Sequence, residues 1–209
     1  MSELTNNKKL KSKSIFLAVC CLCFASYNIV YAQGKVCKYK ETDIESLNGK
    51  VVLKSIKQPV DGVVCNYNAN GDVVVETPYK NGVVEGVERR YNKQGKLLTE
   101  IPYNGFLIEG IAKTYNDGKL LSEIPYKNGS MEGIYKEYDE NRKLKTEVLY
   151  KGGKREGYYL RYTETGELYY KILYENDKAI SGTCGGNGRT LNNAEFATWF
   201  NYGYVVSCP

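Results

Sequence analysis

The chain has no histidine, one tryptophan and two methionines, against 20 tyrosines in 209 residues. Without histidine there is no Ser-His or Cys-His nucleophile and no imidazole ligand for a metal. Basic and acidic residues number 29 and 24, net +5, with no long basic block. Nucleic acid is therefore not the indicated partner. No apolar run is long enough to cross a bilayer comfortably. The longest, Ile15 to Ser26, has the length of a signal-peptide core.

That run follows a basic stretch, Lys8 to Lys13, and precedes Val30-Tyr31-Ala32. This is the layout of a secretory leader cleaved after Ala32, so residues 1–32 read as a signal peptide. An uncleaved anchor is one alternative. Leu17-Ala18-Val19-Cys20 also approaches a lipobox, which would place the chain on a membrane through lipidation at Cys20. Removing residues 1–32 leaves 25 basic and 23 acidic residues, net +2. It also removes Cys20, Cys21 and Cys23. Cys37, Cys65, Cys184 and Cys208 remain, an even number, and in an oxidising compartment that favours disulfides. Four cysteines allow three pairings; nearness along the chain predicts Cys37–Cys65 and Cys184–Cys208. No CxxC pair and no histidine survive to build a zinc site, so neither metal nor cofactor is expected.

What the chain has in abundance is periodicity. Gly62, Gly86, Gly110, Gly133, Gly157 and Gly182 follow one another at steps of 24, 24, 23, 24 and 25 residues. Two tyrosines travel with each of the first five. One set is Tyr67, Tyr91, Tyr115, Tyr138 and Tyr162; the other is Tyr79, Tyr103, Tyr126, Tyr150 and Tyr174. A fixed period of this size marks a repeat architecture, in which small units bury a core only by stacking on neighbours.

Each unit reads as a β-hairpin. From Gly86 the pattern is Gly-Val-Glu-Arg-Arg-Tyr, a polar turn, Lys-Leu-Leu-Thr-Glu-Ile-Pro-Tyr, then Asn-Gly. Alternation puts Leu97, Thr99, Ile101 and Tyr103 on one face, with Leu98, Glu100 and Pro102 on the other. Asn81-Gly82, Asn104-Gly105, Asn128-Gly129 and Gly152-Gly153 suit hairpin turns with positive φ. Gly71, Gly95, Gly118 and Gly166 mark the other turn; one unit has Asn141-Arg142 there, and Asn141 is the better left-handed residue.

This pattern, Gly86 to Tyr91 through Gly95-Lys96-Leu97 to Tyr103, resembles the variant MORN repeat of bacterial proteins labelled YwqK-type antitoxins. The resemblance covers about residues 59–182. It implies a single-layer sheet of successive hairpins with aromatic-lined grooves, and roles in protein scaffolding or lipid contact. An antitoxin role fits an exported chain only if the toxin is exported too.

The expected fold is therefore all-β: an elongated, single-layer antiparallel meander over 59–182, with a small α/β C-terminal cap. Residues 33–58 read as a lead-in with a degenerate hairpin around Asn48-Gly49. Residues 183–209 read as a disulfide-clamped cap, with a helix from Asn192 to about Phe200 and a strand near Val205. Phe196, Trp199 and Phe200 would form its small core.

No enzyme is expected. Glu85, Glu109, Glu132 and Glu156 recur at the repeat period, whereas a glycosidase needs two carboxylates in different environments. They read as strand-end residues beside turns and cross-strand cations. The second column, Glu76, Glu100, Glu123 and Glu147, gives way to Lys171 and reads as a solvated face. Most tyrosines read as structural. Positions that differ between units are free to specify a partner. Among these, Tyr135, Tyr159 and Arg161 share a face, and tyrosine and arginine dominate binding hot spots. The sequence thus points to an exported, non-enzymatic repeat protein that binds another protein at the cell envelope or outside the cell. A carbohydrate or cell-wall module and an immunity partner of an exported toxin are the alternatives.

Overall fold

A computed structural model describes residues 37–191 and Cys208. The leader, the cleavage point after Ala32, Cys20, and the predicted helix and strand of the C-terminal cap lie outside the described residues.

The β-branched and aromatic runs form sixteen strands in chain order. They are β1 (Tyr39–Lys40), β2 (Ile44–Leu47), β3 (Lys50–Leu53), β4 (Gly62–Tyr67), β5 (Val73–Lys80), β6 (Val83–Tyr91), β7 (Leu97–Asn104) and β8 (Leu107–Ile108). Then come β9 (Gly110–Asn116), β10 (Lys119–Lys127), β11 (Ser130–Met131), β12 (Gly133–Tyr138), β13 (Leu144–Lys151), β14 (Lys154–Tyr162), β15 (Leu168–Glu175) and β16 (Lys178–Cys184). A 3-10 turn, Glu41–Asp43, separates β1 from β2. β2 and β3 make a separate hairpin about Asn48-Gly49.

The remaining fourteen strands form one open sheet. Its path runs β4-β5-β6-β7-β9-β10-β12-β13-β14-β15-β16, each strand beside its sequence neighbour, with the short β8 and β11 at the unit junctions. The path does not close, so the meander is neither a barrel nor a set of blades. One pair departs from the antiparallel rule: β1 lies parallel to β4, with Tyr39 opposite Val64.

Turn chemistry explains the hairpins. Asn81-Gly82, Asn128-Gly129 and Gly152-Gly153 take positive φ at both residues, as two-residue turns that follow strand twist require. Two predicted turns differ in detail. Asn104 stays in β7, paired with Leu107, and the turn is Gly105-Phe106 with positive φ at Gly105 alone. Arg142, not Asn141, takes the left-handed conformation at φ 64°. Arg142 occupies the place of Gly71 and Gly95, its N–H reaching back to the Asp139 carbonyl as theirs do to Asn68 and Asn92.

The faces also differ from simple alternation. Arg90 lies opposite Thr99, but Tyr91 lies opposite Leu97. Leu98 is the extra residue of a β-bulge. Opposed residues share a face, so Leu97 leaves the side of Thr99, Ile101 and Tyr103 and joins Tyr91. The same shift recurs at Asn66/Tyr67, Leu120/Ser122, Glu137/Tyr138 and Arg161/Tyr162.

Candidate functional site

The sheet has two unlike faces. On the first, the tyrosines that end each unit, Tyr79 to Tyr174, stand beside rows of mixed aliphatic, polar and aromatic residues. Ala112, Ser122, Thr146 and Val148 in this region are buried, and so is Glu88. Glu88 accepts hydrogen bonds from Thr77 Oγ1 at 3.0 Å and Arg90 Nε at 2.9 Å. Toward β16 the face closes into a small core of Tyr170, Ile172, Tyr174, Cys184 and Leu191.

Tyr135, Tyr159 and Arg161 come together on this first face. Tyr135 and Tyr159 both lie opposite Val148, in one row. Arg161 lies in the next row, opposite Thr146, which lies opposite Glu137. Arg161 Nη1 donates to Thr146 Oγ1 at 2.9 Å and stands 3.9 Å from Glu137 Oε2. Tyr159 stacks on Tyr170, centroids 6.0 Å apart and planes 8° from parallel. All three are half-buried. Burial, then the Glu137 carboxylate, raises the Tyr135 hydroxyl above its ordinary range.

The second face carries what the sequence reading missed. Glu100 Oε2 accepts from Tyr115 Oη at 2.8 Å, Glu123 Oε2 from Tyr138 at 2.8 Å, and Glu147 Oε2 from Tyr162 at 2.9 Å. Glu76 Oε2 accepts from Tyr91 at 2.8 Å. This column is therefore not simply solvated: each glutamate is the acceptor for the next unit's tyrosine. Burial and these carboxylates push the Tyr115, Tyr138 and Tyr162 hydroxyls up to about 12. Register is the reason: Glu100 lies opposite Lys113 and Glu123 opposite Lys136, and each Tyr stands two residues beyond that cation on the same strand and so on the same face.

In the other column Glu85 pairs with Lys80 at 3.2 Å, and the remaining three glutamates hold turns. Glu109 Oε2 accepts the Asn128 N–H at 2.6 Å, Glu132 the Gly152 N–H at 2.7 Å and Glu156 the Asn176 N–H at 2.9 Å. Asp61 does the same for Asn81 at 2.7 Å. Each acceptor stands one unit before the turn it caps. These four carboxylates orient backbone and do not converge on a cleft.

Two disulfides close the ends, Cys37–Cys65 and Cys184–Cys208. Cys65 is buried and lies opposite Glu76, where later units place Arg89, Lys113 and Lys136 opposite their glutamates. Glu76 is 5% exposed and its Oε1 makes no hydrogen bond among the described residues. A carboxylate oxygen of Glu76 lies within 4.8 Å of both sulfurs, which are bonded to each other.

Two rows run side by side across the second face. One is charged: Arg89, Glu100, Lys113, Glu123, Lys136 and Glu147, each directly opposite the next. The other is apolar and contains the opposed pairs Val87–Pro102, Ile111–Pro125, Ile134–Leu149 and Tyr158–Leu173. Ile111 and Ile134 are each 52% exposed, Tyr158 51% and Leu149 40%. A signal for this row was present in the sequence: the residue after each of the first five repeat glycines is Val63, Val87, Ile111, Ile134 and Tyr158.

No curated protein matches the sequence. Among solved structures, one of TarM and one of S. aureus TarM align at 11% identity and a TM-score of 0.27. One is a mutant in complex with Fondaparinux, alpha-GlcNAc-glycerol and UDP. The alignments cover 56% and 57% of this chain, and this chain spans 22% of theirs. Such slight likeness carries no inference. The family comparison is decisive instead. The MORN repeat variant matches five times, at 60–81, 84–104, 108–128, 131–151 and 155–176, which together make just over half of the chain. The chain belongs to the MORN repeat variant family.

Proposed function

We propose that this is an exported, non-enzymatic repeat protein that binds another protein at the cell envelope or outside the cell. The observation that carries this reading is the contiguity of Tyr135, Tyr159 and Arg161 in adjacent rows of the tyrosine face. Large aromatic area beside a guanidinium is the composition of a binding hot spot. The two disulfides are compatible with an oxidising compartment outside the cytoplasm.

Crosslinking the protein in its own cells identifies the partner. Replacing Tyr135, Tyr159 and Arg161 together by Ala should then weaken capture tenfold or more, about 1.4 kcal/mol, with the fold retained by circular dichroism. A folded triple variant that captures the partner normally moves the site elsewhere. Capture of an exported toxin would specify an immunity role. N-terminal sequencing tests export: a start at Gln33 is expected, whereas a lipid-shifted start at Cys20 would mean a membrane-anchored form.

A second reading has its own observation. Tyrosines at the same point of successive units, about 10 Å apart at two strands per unit, could stack on sugar rings of a wall glycan. Binding to purified sacculi, lost with Tyr103 and Tyr126 replaced by Ala, would favour it.

A further inference from the structure

We propose that the second face is the interface of a homodimer, with two copies packed face to face about a two-fold axis parallel to the strands and passing between β9 and β10. The tyrosine face stays open to a different protein, so this goes beyond the function proposed above.

The argument starts from the charge order. Glu76 lies opposite Arg89 on β5 but is buried, so the accessible row runs from β6 to β13 as Arg89, Glu100, Lys113, Glu123, Lys136, Glu147: six alternating charges, positive first and negative last. Reversing such a series and laying it on itself sets every cation on an anion. Lys113 meets Glu123 of the second copy, Glu100 meets Lys136, and Arg89 meets Glu147. Each contact is made twice, as a two-fold interface requires.

Symmetry settles which two-fold can do this. An axis along the strands, lying between the sheets, reverses strand order and keeps each row at its own height. Charged row then meets reversed charged row, and apolar row meets apolar row. An axis along the charged row keeps strand order and sets each charge against itself.

The rest of the face supports the same pairing. The apolar row is the exposed part, with Ile111 and Ile134 half open to solvent. A two-fold between β9 and β10 lays Ile111 on Pro125 of the second copy and Ile134 on Pro102. Among the described residues, no carboxylate lies within ion-pair distance of Lys113 or Lys136. Six strands at ~4.8 Å, with the charged row, the apolar row and the row of Tyr91, Tyr115 and Tyr138, cover on the order of 500 Å² per copy, at the lower bound for a specific interface. Two right-twisted sheets pack in this aligned way, with mean strand directions within about 30° of each other.

Charge reversal gives the test. In the full chain, Lys113→Glu alone sets carboxylate on carboxylate, and Glu123→Lys alone sets ammonium on ammonium. Mixed, the two variants make a heterodimer with both contacts restored. Sedimentation equilibrium of the unaltered chain, from micromolar to near-millimolar concentration, should show a monomer–dimer equilibrium that weakens with salt. Each variant alone should dimerise at least tenfold more weakly, and the mixture should recover. Circular dichroism reports folding, and Glu100→Lys with Lys136→Glu repeats the test if either variant fails to fold. A chain that stays monomeric throughout overturns the proposal and leaves the face to a different protein. A dimer that survives either single reversal, or a mixture that does not recover, overturns it as well.

Discussion

Tyr115 donates its hydroxyl hydrogen to Glu100 Oε2 at 2.8 Å, across the boundary between two units and fifteen residues along the chain. The boundary bond recurs as Tyr91–Glu76, Tyr138–Glu123 and Tyr162–Glu147, each at the same separation. In a repeat array the interfaces between neighbours supply a large part of stability, so removal of one such bond is measurable. Tyr115→Phe should destabilise the protein by about 1 kcal/mol in urea unfolding, with Glu100→Gln less than additive to it. Tyr67→Phe is the control: its hydroxyl has no glutamate before it and should cost little.

Alkaline pH should weaken the same bonds. Tyr115, Tyr138 and Tyr162 ionise at about 12 in the folded chain, because burial and the paired carboxylate disfavour the phenolate. The unfolded value is about 10. The folded state holds these protons more tightly, so their stabilisation is complete below pH ~10 and is lost as pH rises toward 12. Ultraviolet titration should show a late-ionising tyrosine class that shrinks by one residue in Tyr115→Phe.

Gly133 should resist replacement more than Gly105. Gly133 sits at φ 114°, and a Cβ there would stand 3.4 Å from Pro125 Cβ and Cγ. Gly105, at φ 65°, faces open space. Both changes to Ala pay for positive φ, but Gly133→Ala adds crowding in a conformation that side chains rarely adopt. Thermal melting should rank Gly133→Ala the worse, with a loss above about 1 kcal/mol.

Opening the Cys37–Cys65 bridge should loosen the front of the sheet. It closes a loop with a sequence separation of 28. Loop-closure entropy puts its contribution at about 3 to 4 kcal/mol. Cys37→Ser with Cys65→Ser should lower the urea midpoint accordingly, and hydrogen exchange should accelerate first in β4 and β5.

The repeat period, strand pairs and most turns were legible because each rests on local chemistry: Asn-Gly turns, β-branched runs and glycine spacing. The side assignment of Leu97 was not, because one bulged residue per hairpin reverses a two-residue alternation without changing composition. The Glu100 column was misjudged for another reason. Its donor is Tyr115, a unit away, and only the pairing of β7 with β9, Glu100 opposite Lys113, brings that ring beside it. Cys65 is a third case. Its place opposite Glu76, where later units carry a cation, appears once strand register is known.

The boundary bond runs one way, from a tyrosine in the later unit to a glutamate in the earlier one. An internal unit therefore offers one donor and one acceptor and is chemically interchangeable with its neighbours. The ends are not: Tyr67 opens the series with no acceptor before it, and Lys171 stands where a sixth unit would need a carboxylate. Whole units can accordingly be gained or lost between these ends by recombination within the gene, without inventing a new junction. Length can then evolve separately from the fold.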